Sequence, residues 1–320
     1  SEKIDIYNRK MQVFRDRLGD FDQAFDTCGM IFIEDPSDET VIDNMNDLAE
    51  KTGRYEDLVE MLSAALDSVS SDPTLYRRIV RDCALLYEQK LGNQLMAVEF
   101  FRKLVDSGEH DLHAIDYLIA HYENNSEWEN LVDAYRMKLP HMTQEEKVVV
   151  GCRVADIYDR HLNQTDRSIK TYQQILKMDD SCREAVDRLA EIFQRQSDWQ
   201  RMADILRHKL HQVAEPGEVE EIRLTLASLY LDKIKDMRQA KTYYRAVIAD
   251  NPAHLGALDS LELIYLEEEN YDELLEVLGR RANIAADDRE KIAIYRKISD
   301  IWQDKFGQRD MAVSYLEKVL

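Results

Sequence analysis

Two histidine pairs, His110 with His113 and His208 with His211, stand three residues apart, the spacing at which one helical face offers two imidazoles to a metal ion. Neither pair has a third ligand nearby in an HExxH-type arrangement, so both read as exposed, solvated side chains. The acidic run Glu267, Glu268 and Glu269 reads as a solvated helix end rather than as acid–base machinery. Cys28, Cys83, Cys152 and Cys182 are far apart and form no CxxC pair; their apolar contexts are those of small buried hydrophobes in a reducing compartment. No serine or cysteine has the surroundings of a nucleophile, and the 10 glycines are scattered without phosphate-loop spacing. The residue types therefore predict no catalytic, metal or cofactor site, and a non-enzymatic protein.

Ion recognition is the chemistry that remains. Asp43, Asp116, Asp187 and Asp259 follow one another at 73, 71 and 72 residues, in VIDNM, AIDYL, AVDRL and ALDSL. A ladder of carboxylates along one face would receive the lysines or arginines of a basic peptide and set its orientation. Early in a helix, each would equally meet the positive end of the macrodipole, worth about 0.3–1 kcal/mol, with no partner involved. Glu88, Glu123, Asp156, Asp159, Glu184, Glu191 and Glu221 add acid near the same positions. The basic clusters Arg77, Arg78 and Arg81, then Arg195, Arg201, Arg207 and Lys209, read as solvated faces or as neutralising neighbours of the ladder. Of these, Arg78, Arg81 and Arg195 are the candidates to meet a partner's carboxylate.

The elements that must position these residues are helices. Only 10 Gly and 5 Pro occur in 320 residues, and apolar residues recur at three and four, as in CRVADIYDRHL and RSIKTYQQILKM. No segment alternates as a strand does. Three columns share one period: Tyr55, Trp128, Trp199 and Tyr271; Phe14, Tyr87, Tyr158, Tyr230 and Trp302; and Ala24, Ala97, Ser168, Ala240 and Ala312. They divide the chain into units 1–71, 72–143, 144–216 and 217–287 and a partial unit 288–320, with four helices of about 12–16 residues fitting each full unit. Pro73, Pro140 and Pro216 lie near unit boundaries, and Gly19, Gly92 and Gly307 share a column where a helix C-cap needs a left-handed backbone. The Trp128 column reads as buried core.

Each unit splits into two related halves. In AIDYLIAHYENNSEWENL, Tyr122 precedes Trp128 by six residues, and AVDRLAEIFQRQSDWQRM repeats this with Phe193 and Trp199. With DLAEKTGRYEDL and YRAVIADNPAHLGAL, this resembles the tetratricopeptide repeat, a 34-residue helical hairpin, over essentially the whole chain as about nine hairpins. The resemblance implies an all-α, right-handed solenoid of stacked antiparallel hairpins forming a single domain over 1–320, with a concave groove that binds an extended peptide or a helix. It also implies that the aspartate column occupies the fifth helix position, which faces that groove. Two departures stand out: first hairpins carry one extra residue between aromatic and small residue, as from Tyr87 to Ala97, and second hairpins have Leu58, Leu131, Met202 or Leu274 at the small position.

The formal net charge of -21 argues against binding nucleic acid or a membrane surface. No apolar run is long enough to span a membrane, and SEKIDIYNRK has no signal-peptide character, so a soluble, cytoplasmic protein is expected. The expected function is a protein-interaction scaffold with groove candidates Asp43, Asp116, Asp187, Asp259, Arg78, Arg81, Glu123, Asp156, Glu191 and Arg195 and a protein or peptide partner, the acidic groove pointing to a basic one. The alternatives are a recruiting arm of a larger enzyme or signalling protein and a self-associating spacer, both suggested by a chain that starts at Ser1 and stops after DMAVSYLEKVL without a polar capping helix.

Overall fold

A computed structural model describes residues 2–108 and 110–318, and among these every regular element is helical. The chain forms two compact units, residues 1–164 and 165–320. The first holds α1 (Glu2–Gln12), α2 (Phe21–Glu34), α3 (Glu39–Thr52), α4 (Tyr55–Ala64), α5 (Pro73–Gln89), α6 (Gln94–Asp106), α7 (Leu112–Asn124), α8 (Trp128–Lys138) and α9 (Gln144–Arg160). The second holds α10 (Thr165–Met178), α11 (Arg183–Arg195), α12 (Trp199–Gln212), α13 (Pro216–Ser228), α14 (Met237–Asp250), α15 (Leu255–Glu267), α16 (Tyr271–Ile284), α17 (Asp288–Asp304) and α18 (Arg309–Glu317). Within each unit every helix packs against the next, the arrangement of a stacked hairpin array. Pro73 and Pro216 open α5 and α13 at the first turn, where the missing N–H costs nothing.

The turns explain the period. In the first kind, Gly19, Gly92, Asn163, Lys235 and Gly307 all have a left-handed backbone, with φ between 53° and 66°. The carbonyl five residues before each belongs to Phe14, Tyr87, Tyr158, Tyr230 or Trp302 and accepts from the residue just after it, at 2.7–3.0 Å. In the second kind, Ser126, Ser197 and Glu269 are the left-handed residues. The carbonyls of Tyr122, Phe193 and Tyr265, one residue closer, accept from Glu127, Asp198 and Asn270 at 2.9 Å. The extra residue of the first hairpins is thus absorbed at the helix end. Val13–Leu18 and Leu229–Ile234 become π-helical, and Leu91 and Leu162 donate to carbonyls five residues back.

The small column lies in the core: Ala24, Ala97, Ser168, Ala240 and Ala312 are all buried. Around it the first unit packs Phe25, Phe32, Phe101 and Ile115, and the second Tyr172, Phe193, Leu261 and Tyr265. Leu58, Leu131 and Leu274 are buried as well, so the second hairpins fill their contact with a large side chain.

Tyr55, Trp128, Trp199 and Tyr271 do open α4, α8, α12 and α16, but they are half-buried, which corrects the expectation of buried core. Each leaves one ring face toward a side chain near the end of the next first helix. Lys90 lies over Tyr55 at 5.2 Å, His161 stacks on Trp128 at 3.8 Å, Lys233 lies over Trp199 at 5.4 Å and Lys305 over Tyr271 at 4.9 Å. A cation or an imidazole closes what a fully apolar contact would otherwise cover.

Candidate functional site

Asp43, Asp116, Asp187 and Asp259 are each the fifth residue of their helix, α3, α7, α11 and α15. Three of these helices are capped by other residues: Asp38 accepts from Thr40 N, Asp111 from Ala114 N and the ring of His254 from Ala257 N, while Cys182 at the start of α11 makes no side-chain cap bond. The column therefore sits beyond the first turn, where the macrodipole acts most strongly.

Every member is held by a cation. Lys138 reaches Asp116 at 2.5 Å, Lys209 reaches Asp187 at 2.8 Å and Arg281 reaches Asp259 at 3.1 Å. These three cations form a column of their own at the ends of α8, α12 and α16. In the first copy that position is Ala65, and Arg78 of α5 supplies the charge instead, bonding both Asp43 and Glu39. The carboxylates remain 53–67% exposed while the cations are mostly covered along their stems. Burial would lower the pKa of Lys209, but Asp187 and Glu218 outweigh it and hold the ammonium above its usual value. Arg78 is treated likewise: burial acts against its charge, and Asp43, Glu39 and Asp82 overcome it.

Ion pairs also stitch the first helices of successive hairpins side by side. In the first unit Arg81 of α5 bonds Asp111 at the start of α7 at 2.8 Å, His113 of α7 meets Glu88 of α5 at 2.8 Å, and Arg153 of α9 pairs with Glu123 of α7. In the second, Arg183 of α11 bonds Glu218 of α13 at 3.1 Å, and Lys297 of α17 bonds Glu262 of α15 at 2.9 Å. Glu262 is the most enclosed of these acids at 14% exposure. Burial alone would raise its pKa; Lys297 and Arg281 hold it below the ordinary glutamate value. Asp111 is shifted the same way against its burial, by the Ala114 N–H and Arg81.

Of the remaining candidates, Asp156 faces Arg160 at 3.7 Å and Glu191 meets Arg188 at 3.0 Å, both on their own helices, and Arg195 ends α11 on an exposed turn. The structure thus brings Asp43, Arg78, Arg81, Asp116 and Glu123 into one charged surface on α3, α5, α7 and α9. In the second unit Asp187 and Asp259 occupy equivalent places. Lys138, Arg153, Glu262 and Arg281 belong to these surfaces and were not among the sequence candidates. The spacing of Lys138, Lys209 and Arg281, 71 and 72 residues, was the signal that could have found three of the cations together.

His208 bonds the Asp180 carbonyl at 2.9 Å, and the rings of His110 and His141 lie 6.1 Å apart. Among the described residues no three His, Cys, Asp or Glu side chains converge as a metal site would require. Burial pushes the thiols of Cys28 and Cys83 up to about 12, with Arg15 and Asp82 as lesser influences on each respectively. Among the described residues no helix is long and apolar enough to cross a membrane.

Residues 222–254 and 257–292 each match the tetratricopeptide repeat. No curated protein sequence matches the chain. Among solved structures it is similar to MamA, at 22% identity over 55% of this chain and 91% of that one, with a TM-score of 0.33. It is also similar to YrrB, described as a TPR protein with an unusual peptide-binding site, at 15% identity over 53% and 82%, TM-score 0.33. A third is the TPR2AB domain of yeast Sti1 in complex with pHSP90, at 14% identity over 97% and 98%, TM-score 0.29.

Proposed function

The chain carries tetratricopeptide repeats, at 222–254 and 257–292, and on that premise we propose that it is a protein-interaction scaffold whose aspartate ladder receives a basic peptide or helix of a partner protein. The observation that carries this reading is the ladder's state. Four carboxylates at one helix position stay half-exposed although each is already held by a lysine or arginine.

Such pairs are exchangeable. An exposed ion pair is worth about 0–1 kcal/mol, so a partner's lysine can take the carboxylate while Lys138, Lys209 or Arg281 turns to solvent or to the partner's own acids. Charge then sets orientation and on-rate, and apolar contacts supply affinity. Arg78, Arg81 and Arg195 would meet carboxylates of the same partner. The reading needs no cofactor and no catalysis.

The test is a pull-down from the source organism with wild type and with Asp116→Lys plus Asp187→Lys, alongside circular dichroism of both. Loss of a common set of partners from the folded variant supports the ladder. Recovery of the same partners at equal strength refutes it.

A further inference from the structure

A side cleft lies between the second helices of neighbouring hairpins at three places, on helices other than those that carry the ladder. Between α6 and α8 it encloses about 160 Å³, and in the second unit, between α14 and α16, about 200 Å³. Between α2 and α4 it encloses about 610 Å³. Ligand sites typically run from about 300 to 1,000 Å³, so only the last has the size of one.

Two truncations open it. Arg102 and Arg245 line the smaller clefts, Arg102 donating to the Tyr122 hydroxyl at 3.1 Å and Arg245 facing Glu273 at 3.6 Å; the first copy of that position is Gly29. Met137 and Arg280 line the same clefts from the facing helix, where the first copy is Ala64. A long side chain from each wall is therefore missing, and Met61 leans toward the vacated position, its Sδ 2.9 Å from where a Cβ on Gly29 would stand. The walls that remain are apolar: Phe32, Ile33, Pro36 and Met61, with Ile33 70% exposed.

The rim decides the occupant. Arg54, the one cation lining the cleft among the described residues, is locked between Asp26 and Asp57, 2.6 Å from each, with its guanidinium 4.6 Å from the Phe25 ring centre. Glu60 lines the cleft, is exposed, and makes no ion pair among the described residues. The surface is thus an apolar trough with surplus negative charge at its edge. We propose that this cleft is a second docking site, taking a basic amphipathic helix that sets bulky apolar side chains at helical spacing between α2 and α4 and a lysine or arginine against Glu60.

The probe is a fluorescein-labelled synthetic peptide of leucine and lysine patterned as an amphipathic helix, with leucine-to-serine and lysine-to-glutamate versions as controls. It is titrated against the full chain by anisotropy and by methionine-methyl NMR, the Met61 signal being assigned with Met61→Leu. We expect the Met61 methyl to shift and neither control to bind. We expect Ala64→Met, which restores the residue found at Met137, to weaken binding at least about tenfold, a loss of about 1.4 kcal/mol. Glu60→Lys, on the exposed rim, should weaken it similarly and keeps the test open should Ala64→Met fail to fold. Because the ladder is proposed to take a basic helix as well, these affinities are read at the Met61 methyl, which reports the cleft and not the ladder. An unmoved Met61 methyl, or full affinity at that methyl in folded Ala64→Met or Glu60→Lys, would each overturn the assignment.

Discussion

The indole of Trp128 and the imidazole of His161 stack with ring centres 3.8 Å apart and planes 15° apart. Lys90, Lys233 and Lys305 stand at the equivalent place over Tyr55, Trp199 and Tyr271. The second hairpin of each full period therefore meets the next hairpin through a polar lid on an aromatic ring, a joint that stays partly open to solvent.

Half-burial sets the size of the effect of losing that ring. Truncating a fully buried tryptophan costs about 3–5 kcal/mol, and Trp128→Ala should fall below this, at about 2 kcal/mol, because the ring is only half-buried. His161→Ala removes only the stacked partner and should cost about 0.5–1.5 kcal/mol. Urea unfolding of the two variants measures both; equal losses would mean that the stack, not the burial, carries the joint.

Lys235 and Gly53 occupy left-handed turns with φ of 64° and 74°. For a residue with a Cβ that conformation costs roughly 1–2 kcal/mol, and glycine removes the cost. A Cβ at Gly53 would meet nothing within 4 Å, so the backbone alone is at stake there. Lys235→Gly should raise stability by about 1 kcal/mol and Gly53→Ala lower it by a similar amount. Thermal unfolding would show opposite shifts, and shifts of the same sign would refute the account.

Ser168 is the one non-alanine in the small column, is fully buried, and its hydroxyl has no hydrogen-bond partner among the described residues. An unsatisfied buried polar group costs about 1–3 kcal/mol, and the other copies show that alanine fits. Ser168→Ala should therefore stabilise the protein by about 1 kcal/mol. A lower denaturation midpoint in the variant would show that the hydroxyl is bonded in solution.

What could be read in the sequence follows from what burial constrains. The alanine column and the aromatics of the turns recur because each occupies one steric environment per period, and the extra residue between Tyr87 and Ala97 showed in spacing alone. The left-handed turn that takes it up was legible at Gly19, Gly92 and Gly307 but not at Asn163 and Lys235, which take that conformation without being glycine. Apolar type likewise could not tell Trp128, half-covered by His161, from core. The aspartate column was legible, and Arg78 and Lys209 stood among the residues read as its neutralising neighbours or solvated faces, but Lys138 and Arg281 did not, and no cation was matched to its carboxylate, since Lys209 reaches Asp187 across 22 residues of chain. Nothing in a pairwise pattern announces that Arg78 replaces the cation missing at Ala65.

Glu262 makes the second unit sensitive to acid. Its carboxylate bonds Lys297 at 2.9 Å and also Arg281, and the two cations hold its pKa below the ordinary value of 4.5 although burial acts to raise it. A carboxylate depressed in the folded state stabilises fully above its unfolded pKa and loses that contribution as the pH falls through the folded one. Wild type should thus lose stability from about pH 5 downward, and Glu262→Gln should lose less over that range. At neutral pH the substitution itself should cost about 1.5–3 kcal/mol, the worth of hydrogen bonds to a charged group, because Lys297 loses its partner while Arg281 keeps Asp259 and Glu290. Denaturation midpoints at a series of pH values, for both proteins, give the comparison. Parallel acid limbs would mean that other carboxylates carry the acid sensitivity and that Glu262 titrates as it does in the unfolded chain.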